Sequence, residues 1–523
     1  MTNFLMKTGT ENHDTYDFIV CGSGPAGSVV AARLAENPEV RVLLLEAGGS
    51  DDFPEVMNPG QWPQNLGTER DWAFVAQPNP HLNGRAIPLN MGKVLGGSSS
   101  INVSVWARGH KNDWEHFAEV SGDPGWGYAS VLGIYRKIEN WQGASDPVRR
   151  GTNGPVHVET ASNPHPVSFA MLEAIRSLGM PIFDSPNGEM MEGRGGAAIT
   201  ELIIKDGKRS SMFRNYVYPK LHQANLTVLT DTLVSKVLFD GTTVAGVEVI
   251  QAGKVRQYKA REEVVLSLGA INTPKVLLQS GIGAPAELKK HGIQVVQNLP
   301  GVGENHQDHV AFLCNFEYFE PQSYSSGGSE ATFYWKSDAS LRRPDLLYCN
   351  VEFPVPNPAT AYLGIPENGW TQFAGLAHPK SRGTVRLSGP NVNDPVLIDA
   401  NTLSHPGDLK AALPNIELCR EIGNNAAFRK LVKREAVPGN IGKNEMENFA
   451  RNAAVTFWHQ CGTAKMGRDE LSVVDSSLKV YGIEKLRIAD ASIMPEITSG
   501  NTMAPCVVIG ERAAEMIKAT YKI

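Results

Sequence analysis

Two short segments near the C-terminus carry the side chains best suited to chemistry. Trp458-His459-Gln460-Cys461-Gly462-Thr463 sets an imidazole beside an indole in a turn, and Ser499-Gly500-Asn501-Thr502-Met503 sets a carboxamide just after a glycine. An imidazole titrates near neutral pH and can accept a hydroxyl proton. A carboxamide is no base, but it can hold an oxygen by hydrogen bonding. A lone loop histidine is more often packed than catalytic, so the pair gains meaning only from what it faces.

The N-terminus says what that is. Tyr16-Asp17-Phe18-Ile19-Val20-Cys21 is a short apolar strand that runs into Gly22-Ser23-Gly24-Pro25-Ala26-Gly27; a helix is expected over residues 28–36, and a second buried strand over residues 41–45 ends at Glu46. This is the strand, G-x-G-x-x-G, helix, strand, acid order of a dinucleotide-binding unit of roughly 30 residues. Gly22 permits the tight turn, Gly24 lets a pyrophosphate approach the backbone, and Gly27 allows close helix–strand packing. The helix start supplies free N–H groups for phosphates. Glu46 suits ribose hydroxyls, which disfavours NADP. The motif alone does not separate NAD from FAD; its place at the start of the chain, followed by Ala47-Gly48-Gly49, leans toward FAD.

The elements around these segments are bounded by composition. A chain of 523 residues suggests two or three domains, and 41% hydrophobic residues are ample for their cores. A net charge of −6 with no basic tract argues against nucleic acid as a partner. Six scattered cysteines without a CxxC pair argue against a zinc module or disulfide scaffold and suit a reducing compartment. Residues 1–15 are polar, and no apolar run is long enough to span a bilayer, so a cytoplasmic protein is expected.

Residues 51–88 are rich in Pro, Asn and Gly, a long irregular stretch of the kind that covers a ligand. Strands are expected at residues 226–229, 244–250, 256–260 and 264–268, then a helix from Gly269 to about Ser280. Between Phe312 and Asn452 the composition turns aromatic and Pro-rich, with strands expected at 348–353, 372–377 and 383–387 and helices at 408–424 and 443–453. A last helix is expected over residues 506–518. Residues 184–196 look like a loop. His306 and His309 form an H-x-x-H, but the spacing and context do not match a zinc site, so no metal is expected. Arg85 and Arg108 are either cationic anchors near the site or solvated surface residues.

Together these motifs resemble the glucose–methanol–choline (GMC) family of FAD-dependent oxidoreductases over nearly the whole length. One family signature stands as Gly92-Lys93-Val94-Leu95-Gly96-Gly97-Ser98-Ser99-Ser100-Ile101-Asn102, running on to Trp106 and Gly109. The other runs from Gly269-Ala270-Ile271-Asn272-Thr273-Pro274 to Ser280-Gly281-Ile282-Gly283, and His459 with Asn501 stands where the family places its active-site pair. The resemblance implies an α/β fold (α+β overall): a Rossmann-like FAD-binding domain, discontinuous over 1–158, 219–310 and 455–523, and a sheet-plus-helix substrate domain over 159–218 and 311–454.

It also implies roles. Besides the fingerprint, Trp72, Gly92, Val94, Gly97, Ser98, Asn102, Val103, Gly269, Asp490, Ala491, Asn501, Thr502 and Met503 would contact FAD, with the Val234 backbone at the adenine. In choline-oxidising members a histidine just before the Asn102 position carries the flavin; Ile101 stands there, so non-covalent FAD is expected. His459 would be the base, Asn501 its partner, Trp458 an apolar wall, and Phe457 a ring able to hinder oxygen. The Asn variant of the pair is similar to the choline and hydroxymethylfurfural oxidase branch. That points to a primary alcohol substrate, with oxygen or another acceptor taking the electrons. Tyr334, Trp335, Phe353, Tyr362, Trp370 and Phe373 could enclose an aryl or furan alcohol or be plain core. No acidic cage favours choline. A hydroxynitrile lyase on the same scaffold is the alternative. The specific alcohol, the acceptor and the oligomeric state stay open.

Overall fold

The computed structural model describes residues 14–324 and 327–523. Of the polar stretch read at residues 1–15, residues 1–13 lie outside them. Two seven-stranded sheets organise the chain. In the first, Thr15–Cys21 pairs in parallel with Val42–Leu45 on one side and with Lys254–Leu266 on the other. The full order is Leu226–Leu229, Val42–Leu45, Thr15–Cys21, Lys254–Leu266, Thr243–Gln251, Thr232–Asp240, with Leu486–Ile488 beside Val264 to Leu266. Parallel strands are covered on both faces and so read as unbroken apolar runs; Val42 to Leu45 are all buried.

The first helix is Pro25–Leu34, three residues earlier than expected, because Pro25 opens it and Gly24 caps it. It packs on the C-terminal helix, Met503–Tyr521, at such close range that a Cβ on Gly510 would stand 2.7 Å from the Ala26 carbonyl oxygen. The two strands expected at 256–260 and 264–268 are one, Lys254–Leu266. The charged run Arg261-Glu262-Glu263 does not break it. Glu263 is buried against Arg487 on the neighbouring strand at 2.7 Å, so its charge is paired inside the sheet rather than solvated.

The second sheet is antiparallel: Val432–Val437, Val310–Tyr318, Gly369–Leu376, Leu346–Val351, Ala331–Trp335, Gly195–Ile199, with Ala454–Thr456 beside Val310 to Phe312. Gly195–Ile199 corrects the loop expected over residues 184–196: its last two positions belong to this edge strand, where glycines fit against Tyr334 and Phe183. Side chains alternate across a sheet. On Gly369–Leu376, Trp370, Ala374 and Leu376 join the cluster beneath the helix Pro406–Gly423, while Phe373 joins the opposite cluster with Leu347, Val351 and Phe457. Both faces therefore carry apolar clusters, and every residue of that strand is buried, Thr371 and Gln372 included. The second face is the one that meets the loops of the first sheet. Among the described residues no helix is long and apolar enough to cross a membrane.

Candidate active site

A cavity of about 240 Å³ lies where the C-terminal ends of the parallel strands meet the second sheet. The fingerprint forms one end. Gly22 has φ +99°, and a Cβ there would stand 2.3 Å from the Ser267 carbonyl oxygen; a Cβ on Gly27 would be 1.9 Å from the Gly22 carbonyl oxygen. These two glycines let strand and helix touch. Gly24 differs: a Cβ there would meet nothing within 4 Å, and the residue lines the cavity. The helix behind it has no side-chain cap, so its first N–H groups open onto that space, as an anionic ligand requires. Pro25, Ala26, Glu46 and Ala47 also line it. The buried Glu46 carboxylate accepts the Ser23 hydroxyl at 2.6 Å and the N–H groups of Ser23 and Gly48 at 3.0 and 2.9 Å. Burial pushes its pKa up against these donors.

Ser23 and Gly27 thus shape the cradle without lining it. Val94, fully buried, and Val234, on Thr232–Asp240, also stand outside the lining. Trp72, Gly92, Gly97, Ser98, Asn102 and Val103 line the middle, and Gly269, Asp490, Ala491, Thr502 and Met503 the wall opposite. Asp490 ties that wall together: one oxygen accepts from Gly269 N at 2.9 Å and Thr273 Oγ1 at 2.6 Å, the other from Ser492 N at 2.8 Å. Open space above Gly24, an uncapped helix start and a buried acid at the next strand end fit a dinucleotide stretched from the fingerprint to the 97–103 loop.

His459 and Asn501 close the other end. His459 follows the strand Ala454–Thr456 across a turn in which Trp458 takes a left-handed φ of +61°. Asp308 fastens the turn by accepting from His459 N at 2.9 Å, Gln460 Nε2 at 2.8 Å and the Thr456 hydroxyl. Burial raises the Asp308 pKa to about 7. Asn501 precedes the C-terminal helix; Ser499, two residues before it, is held by Asp113 through its N–H at 2.7 Å and by His378 at 3.0 Å. The result sets Asn501 Nδ2 3.1 Å from His459 Nε2. His459 is 8% exposed, and its pKa is pushed well below 6.5, first by burial and then by repulsion from His309. A neutral imidazole with its Nε2 at the cavity can accept a proton.

The Phe457 ring stacks on that imidazole with centroids 5.7 Å apart and planes 9° from parallel. Trp458 donates its indole N–H to Asn90 at 3.2 Å and meets Trp62 edge-on. Phe457, Trp458 and Phe373 line the cavity; Phe353 packs behind Trp62. Trp370 instead lies stacked between Phe316 and Phe428, Tyr334 and Trp335 stand outside the lining, and Tyr362 is 71% exposed. Neither reading of Arg108 holds: it is buried and paired with Glu139 away from the cavity. Arg85 likewise stands outside the lining, donating to the carbonyls of Arg451 and Ala454. Sequence reasoning missed Trp62, Cys349 and Val351. Trp62 sits in the irregular 51–88 stretch, whose length was its signal; the strand residues gave none. Among the described residues no three His, Cys, Asp or Glu side chains are grouped to hold a metal ion.

Comparison with known proteins identifies the arrangement. The GMC oxidoreductase family models match residues 16–311 and 379–510. The chain is 36% identical to oxygen-dependent choline dehydrogenase of Brucella anthropi, over 96% of this chain and 95% of that one. It is 36% identical to alcohol dehydrogenase [acceptor] of Pseudomonas putida, with the same coverage. Pyridoxine 4-oxidase of Mesorbium loti superposes with a TM-score of 0.91 at 31% identity, over 96% of this chain and 98% of that one. The chain therefore belongs to the GMC oxidoreductases: it is an FAD-dependent enzyme acting on CH–OH groups.

Proposed function

We propose that this protein oxidises a primary aryl, furan or similar alcohol to the aldehyde. The observation that carries it is the pairing of His459 Nε2 with Asn501 at 3.1 Å inside an aromatic cavity. Bound FAD supplies the hydride acceptor. The neutral His459 accepts the hydroxyl proton, and the Asn501 carboxamide holds the substrate oxygen against it. Phe373, Trp458 and Trp62 give flat apolar contact to an aryl or furan ring. The Trp62 indole N–H is buried with no partner among the described residues, which favours a substrate carrying an acceptor. We assign FAD contact to the lining residues named above and keep the division 1–158, 219–310 and 455–523 against 159–218 and 311–454; the strand membership of the two sheets supports it except at the edges, where Val310, Val455 and Thr456 pair within the second sheet. Ile101 lines the cavity but offers no nucleophile, so FAD is held non-covalently.

Choline, named in the relatives, is the second reading. Trp62 and Trp458 could attract a quaternary ammonium through their ring faces. Against it, among the described residues the only carboxylates in the lining are Glu46 and Asp490, both on the nucleotide side. The lyase alternative gains no support from the relatives. A cytoplasmic location stays a proposal, supported by the six cysteines being unpaired and testable by cell fractionation.

An anaerobic flavin-reduction screen over aryl, furan, aliphatic and amino alcohols, followed by air, tests the proposal. Bleaching by ring alcohols, with choline at least ~10-fold poorer in kcat/KM, is expected. Choline as the best substrate, or no bleaching at all, would overturn it. Prompt return of colour in air marks an oxidase; slow return marks a dehydrogenase.

A further inference from the structure

His459 does not stand alone behind the cavity. Its Nδ1 is 2.9 Å from Nδ1 of His309, with the two rings perpendicular and their centroids 5.0 Å apart. Both are buried; burial drops the His309 pKa to about 4, so both are neutral at physiological pH. Two neutral imidazoles facing through the same nitrogen share one proton: one ring donates and the other accepts.

The far ends of the rings decide which does which. On His459, Nε2 faces the Asn501 carboxamide at 3.1 Å; with the amide nitrogen turned toward it, as the structure sets it, Asn501 donates, so Nε2 carries the lone pair and the proton of that ring sits on Nδ1. It then points at His309, whose Nδ1 must accept. His309 then keeps its own proton on Nε2; the backbone of Thr498 and Ala377 favours a protonated ring, although that nitrogen has no hydrogen-bond partner among the described residues.

We propose that His309 is a positioning residue that locks His459 in its Nδ1–H tautomer and so keeps Nε2 unprotonated, its lone pair free for the substrate hydroxyl once the substrate displaces the Asn501 N–H. A buried carboxylate behind a catalytic histidine also holds the tautomer, but it raises the imidazole's basicity. A neutral histidine holds the tautomer without doing so. The base therefore stays unprotonated well into acid and readily gives up the proton it gains. The other titratable groups nearby do not replace it. From His459, Asp308 accepts the backbone N–H and not the ring. His378 is neutral, its pKa pushed well below 6.5 by burial. Asp113 and Glu496 lie behind Ser499 and Arg343. His306 is neutral, its pKa lowered to about 4 by burial.

This rests on His459 being the base, so the test separates the two. In 15N-histidine-labelled holoenzyme, with the His459 signals assigned by their loss in His459→Gln, wild type should show Nδ1 protonated and Nε2 bare. His309→Leu removes the acceptor and should shift the proton to Nε2. Flavin reduction should then slow by at least ~100-fold with KM within about threefold, the loss expected of a blocked general base. His309→Asn, whose amide oxygen can accept from Nδ1, should recover at least ~10-fold of it. An Nε2–H tautomer in wild type, an unchanged tautomer in His309→Leu, or a rate within about threefold of wild type would overturn the proposal. If His309→Leu does not fold, the wild-type tautomer and the His309→Asn rate decide. An Nδ1–H tautomer in an enzyme that no alcohol reduces would support the lock while overturning the alcohol reading.

Discussion

The two ends of the cavity are built in opposite ways. At the nucleotide end the main chain makes the site: glycines without side chains, an uncapped helix start and an acid at a strand end, all within residues 22–47. At the substrate end side chains make it: Phe373 reaches in from one strand, Cys349 and Val351 from its neighbour, and Trp62 and Phe457 come from segments far apart in the sequence. A backbone-built site depends on the room left by absent atoms. A side-chain-built wall depends on the register of a sheet, and it can change its occupant without disturbing the cofactor.

The sharpest way to break this contrast lies at the glycines. Gly27→Ala puts a carbon 1.9 Å from a backbone oxygen that cannot move aside, so soluble yield should collapse or stability fall by more than ~4 kcal/mol. A well-folded variant would contradict the cradle described above. Gly24→Ala meets no protein atom, so the fold should survive while FAD affinity falls by ~10-fold or more. Unchanged affinity by fluorescence titration would show that the ligand does not approach there.

At the substrate end the expected effects are smaller and of a different kind. Phe373→Leu should change the ratio of kcat/KM between aryl and short aliphatic alcohols by ~10-fold with FAD content unchanged. Loss of flavin in that variant would mean that the two ends are not separable. Phe457 stacks on the base and fills space beside it. Phe457→Val should speed flavin reoxidation by air a few-fold, on the order of a steric effect in a pocket. No acceleration would remove Phe457 as a barrier to oxygen.

The same contrast explains what could be read from the sequence. Gly22, Gly24, Gly27 and Glu46 are legible because their spacing along the chain is their function. His459 and Asn501 are legible only through the motifs around them. Phe373 was one aromatic among several, and nothing in the sequence sets it apart from Trp370. The difference between them is one of parity on a strand buried on both faces, where no polar alternation marks the side. Arg108 misled for a related reason: its partner Glu139 is distant in sequence, so the buried pair leaves no local trace.

The central claim is that a neutral His459 removes the substrate proton. The most direct measurement is the anaerobic rate of flavin reduction by a ring alcohol across pH, in wild type and His459→Ala. The imidazole must be unprotonated to act, and its pKa is depressed, so activity should fall only as pH drops below 6.5. His459→Ala should retain FAD, lose ~10²- to 10⁴-fold in rate and lose that acid limb. A limb at or above pH 6.5 in wild type, or a His459→Ala variant that reduces its flavin as fast as wild type, would contradict the account.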